Sequence, residues 1–207
     1  MKVTDKIQIT NEDNMELMAR YPDNYFDLAI VDPPYGIERF KKGGSRLNKY
    51  GDEKRMWNND KPTREYFNEL FRVSKFQIIW GGNYFDLPPT RCFLIWDKKQ
   101  PDGVSFASCE YAWTSFDASA KTFYMRPQGA DNIRIHPTQK PRQLYNWVLD
   151  KYAKEGDKIL DTHLGSGSIA LACHERGFEL TACELDKDYF EASIKRINNH
   201  ISQQRLF

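Results

Sequence analysis

The segment Asp32-Pro33-Pro34-Tyr35 contains residue types that could position a planar amino group for chemistry. The carboxylate of Asp32 and the backbone carbonyl of Pro33 can accept the two amino hydrogens, and the two prolines hold that carbonyl rigidly. Tyr35 offers a flat face on which a base can stack. These four residues are therefore predicted as the catalytic group. The structural alternative is a strand that ends in an Asp-Pro turn, with Tyr35 packed at its rim.

The chemistry open to such a site is nucleophilic attack by the amine. An aromatic exocyclic amine is a poor nucleophile because its lone pair is delocalised into the ring. Two acceptors for the amino hydrogens favour a tetrahedral nitrogen whose lone pair can attack, and they stabilise the positive charge that develops there. A strong general base is not required, since Asp32 can accept the proton late.

A second segment, Asp161–Ser168, has the composition of a cofactor loop. Its glycines allow the backbone to approach a ligand closely, and the helix predicted to follow offers free N–H groups and partial positive charge. Glu184 ends the next predicted strand, where an acid suits a pair of ribose hydroxyls. With an acceptor site and a donor site in one domain, the residue types predict methyl transfer from S-adenosylmethionine (SAM) to a base.

A dinucleotide is the alternative cofactor for this loop. The dinucleotide-binding pattern wants a third glycine where this chain has Ala170, a replacement that the pattern sometimes tolerates. The loop alone leaves both cofactors open, and the acceptor segment favours SAM.

Apolar runs typical of strands alternate along the chain with helical patterns, which predicts an α/β fold with a mostly parallel sheet and an antiparallel strand pair. The predicted strands are Lys6–Thr10, Phe26–Val31, Phe76–Trp80, Cys92–Trp96, Tyr111–Phe116, Thr122–Met125, Lys158–Leu160 and Phe178–Cys183. Helices are predicted within 11–20, at 63–73, at 141–152, at Ser168–Arg176 and from Asp186 onward. One domain spans 1–207, with an acceptor half of about 1–131 and a cofactor half of about 132–207.

The bulk composition is that of an ordinary globular protein, with 40% hydrophobic and 29% charged residues. No apolar run approaches the length of a membrane span, and the N-terminus lacks the apolar core of a signal peptide. The four cysteines have no CxxC spacing and do not group with the histidines, which predicts reduced thiols in a cytoplasmic protein and no metal site.

Positive charge is concentrated in the segment 36–60, which is predicted to be a mobile basic loop. Its position directly after Tyr35 favours an arm that contacts phosphates and orders on binding, while a solvated surface loop is the alternative. The residues predicted to bind nucleic acid are Arg39, Lys41, Lys42, Arg46 and Lys49.

Together the two motifs resemble the β group of amino-directed DNA methyltransferases, which modify adenine N6 or cytosine N4. That family has an acceptor motif [DNS]-P-P-[YFW] and a cofactor motif F-x-G-x-G, and in the β group the acceptor motif comes first. Further segments that resemble the family are Trp80-Gly81-Gly82-Asn83, Trp96-Asp97-Lys98 and Asn132-x-x-x-His136-Pro137-Thr138-Gln139-Lys140-Pro141. The resemblance implies a single-domain SAM-dependent methyltransferase (Rossmann-like) fold without a metal.

The resemblance also implies which residues bind SAM. Asp13 corresponds to an acid near the adenine of the cofactor, and the segment that contains Thr138 and Lys140 lies by its methionine end. For these two residues a helix cap and a surface lysine are the alternatives. The implied cofactor contacts are Asp13, Thr138, Lys140, Asp161, His163, Leu164, Gly165, Ser166, Gly167, Ser168 and Glu184.

Two departures from the family pattern bear on function. His163 replaces the usual Phe of the cofactor loop, so either its protonation makes SAM binding depend on pH, or it is a neutral, hydrogen-bonded imidazole.

Between Glu110 and His136 the chain has no room for a target-recognition domain. Recognition is therefore expected from the 36–60 loop, from a second subunit, or from a short and relaxed target, as in a solitary methyltransferase of a bacterium or phage-infected cell.

The expected partner is DNA, and the family makes a homodimer plausible. Cytosine-directed members of the family more often have Ser where this chain has Asp32, so the resemblance favours methylation of adenine N6 in a flipped-out base. Methylation of cytosine N4, which uses the same geometry, is the alternative. A non-catalytic SAM-fold subunit that only binds DNA or a partner is the alternative of a different class. The sequence leaves open whether the activity belongs to a restriction-modification pair.

Overall fold

The computed structural model describes residues 1–36, 61–101, 103, 107–127 and 134–204. In this part of the chain the strands are β1 Ile7–Thr10, β2 Phe26–Val31, β3 Ser74–Trp80, β4 Phe93–Asp97, β5 Cys109–Thr114, β6 Lys121–Tyr124, β7 Lys158–Asp161 and β8 Glu179–Cys183. The α-helices are α1 Asn14–Ala19, α2 Arg64–Val73, α3 Arg142–Tyr152, α4 Ser168–Arg176 and α5 Lys187–Gln204. The five residues predicted to bind nucleic acid lie outside the described residues.

The strands form one 8-stranded sheet in the order β1-β8-β7-β2-β3-β5-β4-β6. Strand β5 is antiparallel to both of its neighbours, and the other neighbouring pairs are parallel. The predicted α/β fold, with a mostly parallel sheet and an antiparallel pair, is confirmed. Because parallel strands end at the same edge of a sheet, the residues that follow β1, β2, β3, β7 and β8 share one edge.

Strand β2 explains why the central strands read as continuous apolar runs. Leu28 and Ile30 pack into the core cluster on one face of the sheet, whereas Ala29 and Val31 pack into the cluster on the other face. Successive side chains of a strand point to opposite faces, so a strand covered on both faces must be apolar throughout. After the apolar run Leu28–Val31, the carboxylate of Asp32 is the first polar side chain.

Helix termini agree with the sequence patterns to within a few residues. Asp186 accepts hydrogen bonds from the backbone N–H groups of Asp188 and Tyr189, at 2.9 and 3.0 Å, and so caps α5 as predicted. Gly177 ends α4 in the left-handed conformation, at φ 74°. The main difference is at β3, which begins at Ser74 directly after α2 rather than at Phe76. None of the helices in the described ranges is long and apolar enough to cross a membrane.

Candidate active site

The two predicted motifs lie on neighbouring strands. Asp32 follows β2 and Asp161 ends β7, and these strands pair in parallel with Leu28 opposite Ile159. A cavity of about 600 Å³ opens where the strands end, within the size range of small-ligand sites. Both halves line this cavity, including Asp32, Pro34, Thr138, Lys140, His163, Leu164, Gly165, Ser166 and Glu184.

Both carboxylate oxygens of Asp32 are engaged in this structure. The Tyr35 hydroxyl donates to Oδ1 at 2.6 Å, and the Lys140 ammonium donates to Oδ2. The Lys140 Nζ also lies 3.3 Å from the Tyr35 hydroxyl. Burial, followed by the charge of Asp32, raises the pKa of Tyr35 well above its ordinary value, so the phenol keeps the proton that it donates.

A second carboxylate shares the Lys140 ammonium. Glu110, at the start of β5, places Oε2 3.1 Å from Lys140 Nζ and Oε1 2.7 Å from Lys98 Nζ. Burial favours a neutral Lys140, but the carboxylates of Asp32 and Glu110 outweigh burial and raise the pKa of this lysine. Burial likewise opposes ionised Glu110, but Lys140 and Lys98 hold its pKa below the ordinary value. Lys140 and Glu110 are therefore both held in their charged forms.

A glycine fixes the place of the Tyr35 ring. Gly81 follows β3 with φ 70°, and a Cβ built there would lie 2.2 Å from Cε1 of Tyr35. No side chain fits between this backbone and the ring, which accounts for the glycine in the Trp80-Gly81-Gly82 segment. Tyr84 stacks on Tyr35 with ring centroids 5.0 Å apart and planes at 16°. The acceptor tyrosine is thus held by backbone, by a second ring and by Asp32.

The cofactor loop is tied to the acid at the end of β8. The backbone N–H of Gly165 donates to Oε2 of Glu184 at 2.8 Å, and that of Asp186 donates to Oε1 at 2.9 Å. Gly165 and Gly167 adopt φ 52° and 74°, values that side-chain-bearing residues rarely take. A Cβ on Gly167 would lie 3.0 Å from Cδ1 of Ile197 in α5, so this glycine also permits close helix packing.

The segment His136–Lys140 joins the two halves of the cavity. The His136 ring packs edge-on against Tyr189 with centroids 4.4 Å apart, and Thr138 Oγ1 lies 3.1 Å from His136 Nδ1. At the other end of the segment, Lys140 reaches Asp32. Thr138 therefore does not cap α3, whose N-cap position is Pro141 without a side-chain cap. The ammonium of Lys140 lies beside Asp32 of the acceptor motif, and its predicted contact with the cofactor stays a prediction.

His163 is surrounded by neutral hydrogen-bonding groups. Its Nδ1 lies 2.9 Å from the Thr162 hydroxyl and 3.5 Å from the Tyr66 hydroxyl, and its Nε2 lies 3.3 Å from the side-chain amide of Asn14. Burial lowers the pKa of the imidazole to about 3. Of the two interpretations drawn from the sequence, this environment favours the neutral, hydrogen-bonded ring.

Asp161 is buried beneath the cavity. Its Oδ1 accepts a hydrogen bond from the backbone N–H of His163 at 3.0 Å. Burial raises the pKa of this carboxyl to about 8, and the charges of Asp32 and Glu184 add to the shift while the His163 bond opposes it. A positively charged group bound above Asp161 would therefore favour its ionised form.

Several predicted residues support the cavity without lining it. Asp13 caps α1 by accepting from the Met15 N–H at 2.7 Å, and its neighbours Glu12 and Asn14 line the cavity instead. Ser168 is buried and bonds Ser166 at 3.2 Å between their hydroxyl oxygens. The remaining predicted residues that do not line the cavity are Pro33, Tyr35, Asp161 and Gly167.

Glu110, Tyr66 and Tyr145 are among the polar residues of this site that the sequence patterns missed. Glu110 has the clearest signal, because it is the charged residue of a strand whose other residues are uncharged. Tyr66 belongs to the inner face of α2, and its hydroxyl lies 2.7 Å from that of Thr162. Tyr145 lies on α3 and lines the cavity. The helical patterns show both tyrosines only as residues of the apolar face, so no pattern distinguished them from core.

Comparisons with known proteins agree with the motifs in their similarity to DNA methyltransferases. Residues 95–195 match the family model described as DNA methylase. Over 71 residues, which is 34% of this chain, the sequence is 31% identical to the type II methyltransferase M.HpaI of Haemophilus parainfluenzae. That match spans 23% of the length of M.HpaI.

Two solved structures share the fold. An M1.HpyAVI–SAM complex aligns with a TM-score of 0.62 at 20% identity, over 93% of this chain and 99% of that one. The cytosine-N4-specific PvuII DNA methyltransferase aligns with a TM-score of 0.64 at 13% identity, over 97% of this chain and 93% of that one. With its two motifs, the match of residues 95–195 to the DNA methylase model and this fold, the chain is similar to the amino-directed (N6/N4) DNA methyltransferases.

Proposed function

We propose that this protein transfers a methyl group from SAM to the exocyclic N6 amino group of adenine in DNA, in a base flipped out of the helix. The observation that carries the proposal is one cavity lined by both Asp32 and the loop His163–Ser166. An acceptor carboxylate and a cofactor loop in one cavity allow the reacting groups to be held in line, and such alignment is a large part of group-transfer catalysis.

The cofactor half has the groups that SAM needs. Each carboxylate oxygen of Glu184 accepts one backbone N–H group and keeps lone-pair capacity for a ribose hydroxyl. The positive φ of Gly165 and Gly167 keeps Cβ atoms out of the approach to the N-terminus of α4. The neutral ring of His163 adds no positive charge beside a cationic ligand. When bound, SAM supplies a methyl group activated by its sulfonium.

The acceptor half orients the base. Asp32 accepts one amino hydrogen and the backbone carbonyl of Pro33 accepts the other, so that the nitrogen lone pair is directed toward the methyl group. The carboxylate also stabilises the positive charge that develops on the nitrogen and takes the released proton. The preference for adenine over cytosine rests on Asp32, because cytosine-directed members of the family more often have Ser at this position.

Target binding is proposed to involve the 36–60 loop, whose cations would contact DNA phosphates. A second subunit in a homodimer is the other proposed source of recognition. Either source would serve a short target, as in a solitary enzyme.

The experiment uses unmethylated genomic DNA, methyl-labelled SAM and purified protein, followed by digestion to nucleosides and their separation. Label in 6-methyladenine supports the proposal, provided that it is lost in Asp32→Asn, which removes the charge at nearly constant volume. Label in 4-methylcytosine would keep the mechanism and overturn the substrate. Absence of label, with SAM still bound by the protein, would favour the non-catalytic subunit.

A further inference from the structure

The Lys140 ammonium lies between two carboxylates that belong to distant parts of the chain. It donates to Oδ2 of Asp32 and lies 3.1 Å from Oε2 of Glu110. Only 2% of the Lys140 side chain is exposed, so solvent cannot replace a missing carboxylate partner. An unpaired charge in such a place is strongly destabilising. Whenever one of the two carboxylates is used for another purpose, the other must hold the lysine.

The arrangement creates a conflict at Asp32. Its Oδ1 accepts from Tyr35 and its Oδ2 accepts from Lys140, which leaves neither oxygen with its full acceptor capacity for a substrate amino group. A lysine held this close also reduces the negative charge that Asp32 presents to the methylated nitrogen. The charge of Asp32 becomes available to the base only when Lys140 shifts toward its other partner.

We propose that Glu110 is a positioning residue that takes over the Lys140 ammonium when the amino group of the target base binds to Asp32. This inference rests on the proposed function of the acceptor site. No bond is made or broken in the exchange: Lys140 keeps its protons and its charge, and only its nearer carboxylate changes. Glu110 thereby acts on the reaction through Lys140 and Asp32 without touching the base.

Glu110 is well placed to receive the ammonium. It lies in β5 opposite Trp96 of β4, so its backbone is fixed within the sheet. Its other oxygen is held by Lys98 at 2.7 Å, and the Lys98 ammonium lies 5.1 Å from the centroid of the Trp96 ring. The acid is therefore anchored on the side away from Asp32. Asp32, Glu110, Lys98 and Lys140 have balanced charges, and moving Lys140 toward Glu110 leaves the negative charge on Asp32.

The central test combines Glu110→Gln with Lys140→Met. In Glu110→Gln the lysine has no alternative carboxylate and stays on Asp32, so we expect kcat/KM for DNA methylation to fall by about tenfold or more. The dissociation constant of SAM should change by less than about twofold, since the cofactor half is untouched. Glu110→Asp should recover part of the activity. Glu179→Gln, at the exposed start of β8, is the matched control and should behave as the wild type.

The double variant Glu110→Gln/Lys140→Met separates this role from a structural one. If Glu110 serves to draw the lysine away, removing the lysine should restore activity above that of Glu110→Gln alone. If Glu110 only supports the fold, the double variant should be as impaired as the single variant or worse, and the inference would be overturned. Thermal unfolding of each variant identifies any loss of activity that comes from misfolding.

A binding measurement keeps the inference testable even if the wild-type protein methylates no base. Adenosine and purine riboside, which lacks the amino group, are titrated into the protein saturated with S-adenosylhomocysteine. The wild type should prefer adenosine, Glu110→Gln should lose most of that preference, and the double variant should regain it. An equal preference for adenosine in all three proteins would contradict the role of Glu110. If the preferences differ as expected but the wild type methylates no base, only the proposed reaction would be overturned.

Discussion

At the scale of single residues, Asp161 shows how burial and neighbouring charge combine. The carboxyl is buried, it lies close enough to Asp32 and Glu184 to sense their charges, and its pKa is raised from 3.8 to about 8. Between these values the folded state holds a proton that the unfolded state has released. The stability of the ligand-free protein therefore falls as pH rises through this window.

Asp161→Asn is expected to remove most of this pH dependence. The amide resembles the protonated acid in shape and cannot ionise, so it imposes no ionisation cost on the folded state. A tenfold change in proton affinity corresponds to about 1.4 kcal/mol, so the variant should be more stable than the wild type near pH 8 by an amount on the order of a few kcal/mol. Thermal unfolding of both ligand-free proteins between about pH 5 and 8 measures the effect. Parallel pH profiles would contradict it.

The same carboxyl should register the binding of a positively charged cofactor. If SAM binds above Asp161 as proposed, its positive charge favours the ionised form, and binding near neutral pH should release a proton. Calorimetric titration of SAM in buffers of different ionisation enthalpy counts the protons released. Asp161→Asn should release fewer than the wild type, and equal release by the two proteins would exclude Asp161 as the source.

Gly81 provides a test of Tyr35. In Gly81→Ala the new methyl group would lie 2.2 Å from the Tyr35 ring and must displace it, which should lower kcat by about 10- to 100-fold while SAM affinity is kept. Gly156→Ala is the matched control, because Gly156 has φ 87° and a Cβ at that position would meet nothing within 4 Å. Comparable decreases in both variants would assign the effect to backbone strain instead of the ring.

At the scale of elements, α5 braces the cofactor loop. Arg196 Nη1 donates to the backbone carbonyl of Ser166 at 2.7 Å and to the hydroxyl of Ser168 at 3.0 Å. Ile197, the next residue, packs against Gly167. The conformation of the cofactor loop thus depends on α5, a helix that follows β8 and is distant from the loop in the sequence.

Arg196→Met should loosen the loop. The substitution removes the hydrogen bonds to Ser166 and Ser168, each contributing about 1 kcal/mol net, while it retains the apolar stem. We expect SAM affinity to weaken by about 3- to 10-fold, measured by calorimetry. Lys195→Met removes the same charge from the exposed neighbouring position and should leave SAM affinity unchanged. A similar decrease in both variants would point to overall charge as the cause.

The sequence predicted strands well where other elements cover both faces of the sheet, and less accurately at β5. The apolar runs of β2, β7 and β8 identified strands that end at or just before the acids of the site, because burial on both faces favours apolar residues. Strand β5 was predicted to begin at Tyr111, but it begins at Cys109 and includes Glu110. A buried acid is acceptable at the start of this strand because the Lys98 and Lys140 ammonium groups lie beside it.

At the scale of the whole molecule, the predicted basic loop leads to a test of DNA binding. Replacing Arg39, Lys41, Lys42 and Arg46 with neutral residues should weaken binding. The slope of log K against log salt should become shallower by about 0.9 for each DNA phosphate that the variant no longer neutralises on a duplex. Filter binding or fluorescence anisotropy at several salt concentrations measures the slope.

The control for this test uses four cations at the opposite edge of the sheet. Lys2 and Lys6 precede β1, and Lys151 and Lys154 lie at and beyond the end of α3, on the side where the parallel strands begin. All four are exposed or partly exposed, and their replacement makes the same change in net charge. A slope that falls equally in both quadruple variants would indicate a general charge effect, and an unchanged slope in the loop variant would contradict the predicted arm.

The sequence by itself determined the α/β class, the strand-end acids Asp32 and Asp161, the glycine loop and the resemblance to a methyltransferase family, because these depend on local patterns: apolar runs, turn residues and short motifs. Tertiary structure decided which residues meet. Sheet order brought β2 beside β7, and β5 brought Glu110 to Lys140 and so to Asp32. An ion pair between carboxylates and a lysine from separate segments depends on strand order and register, which no local pattern encodes.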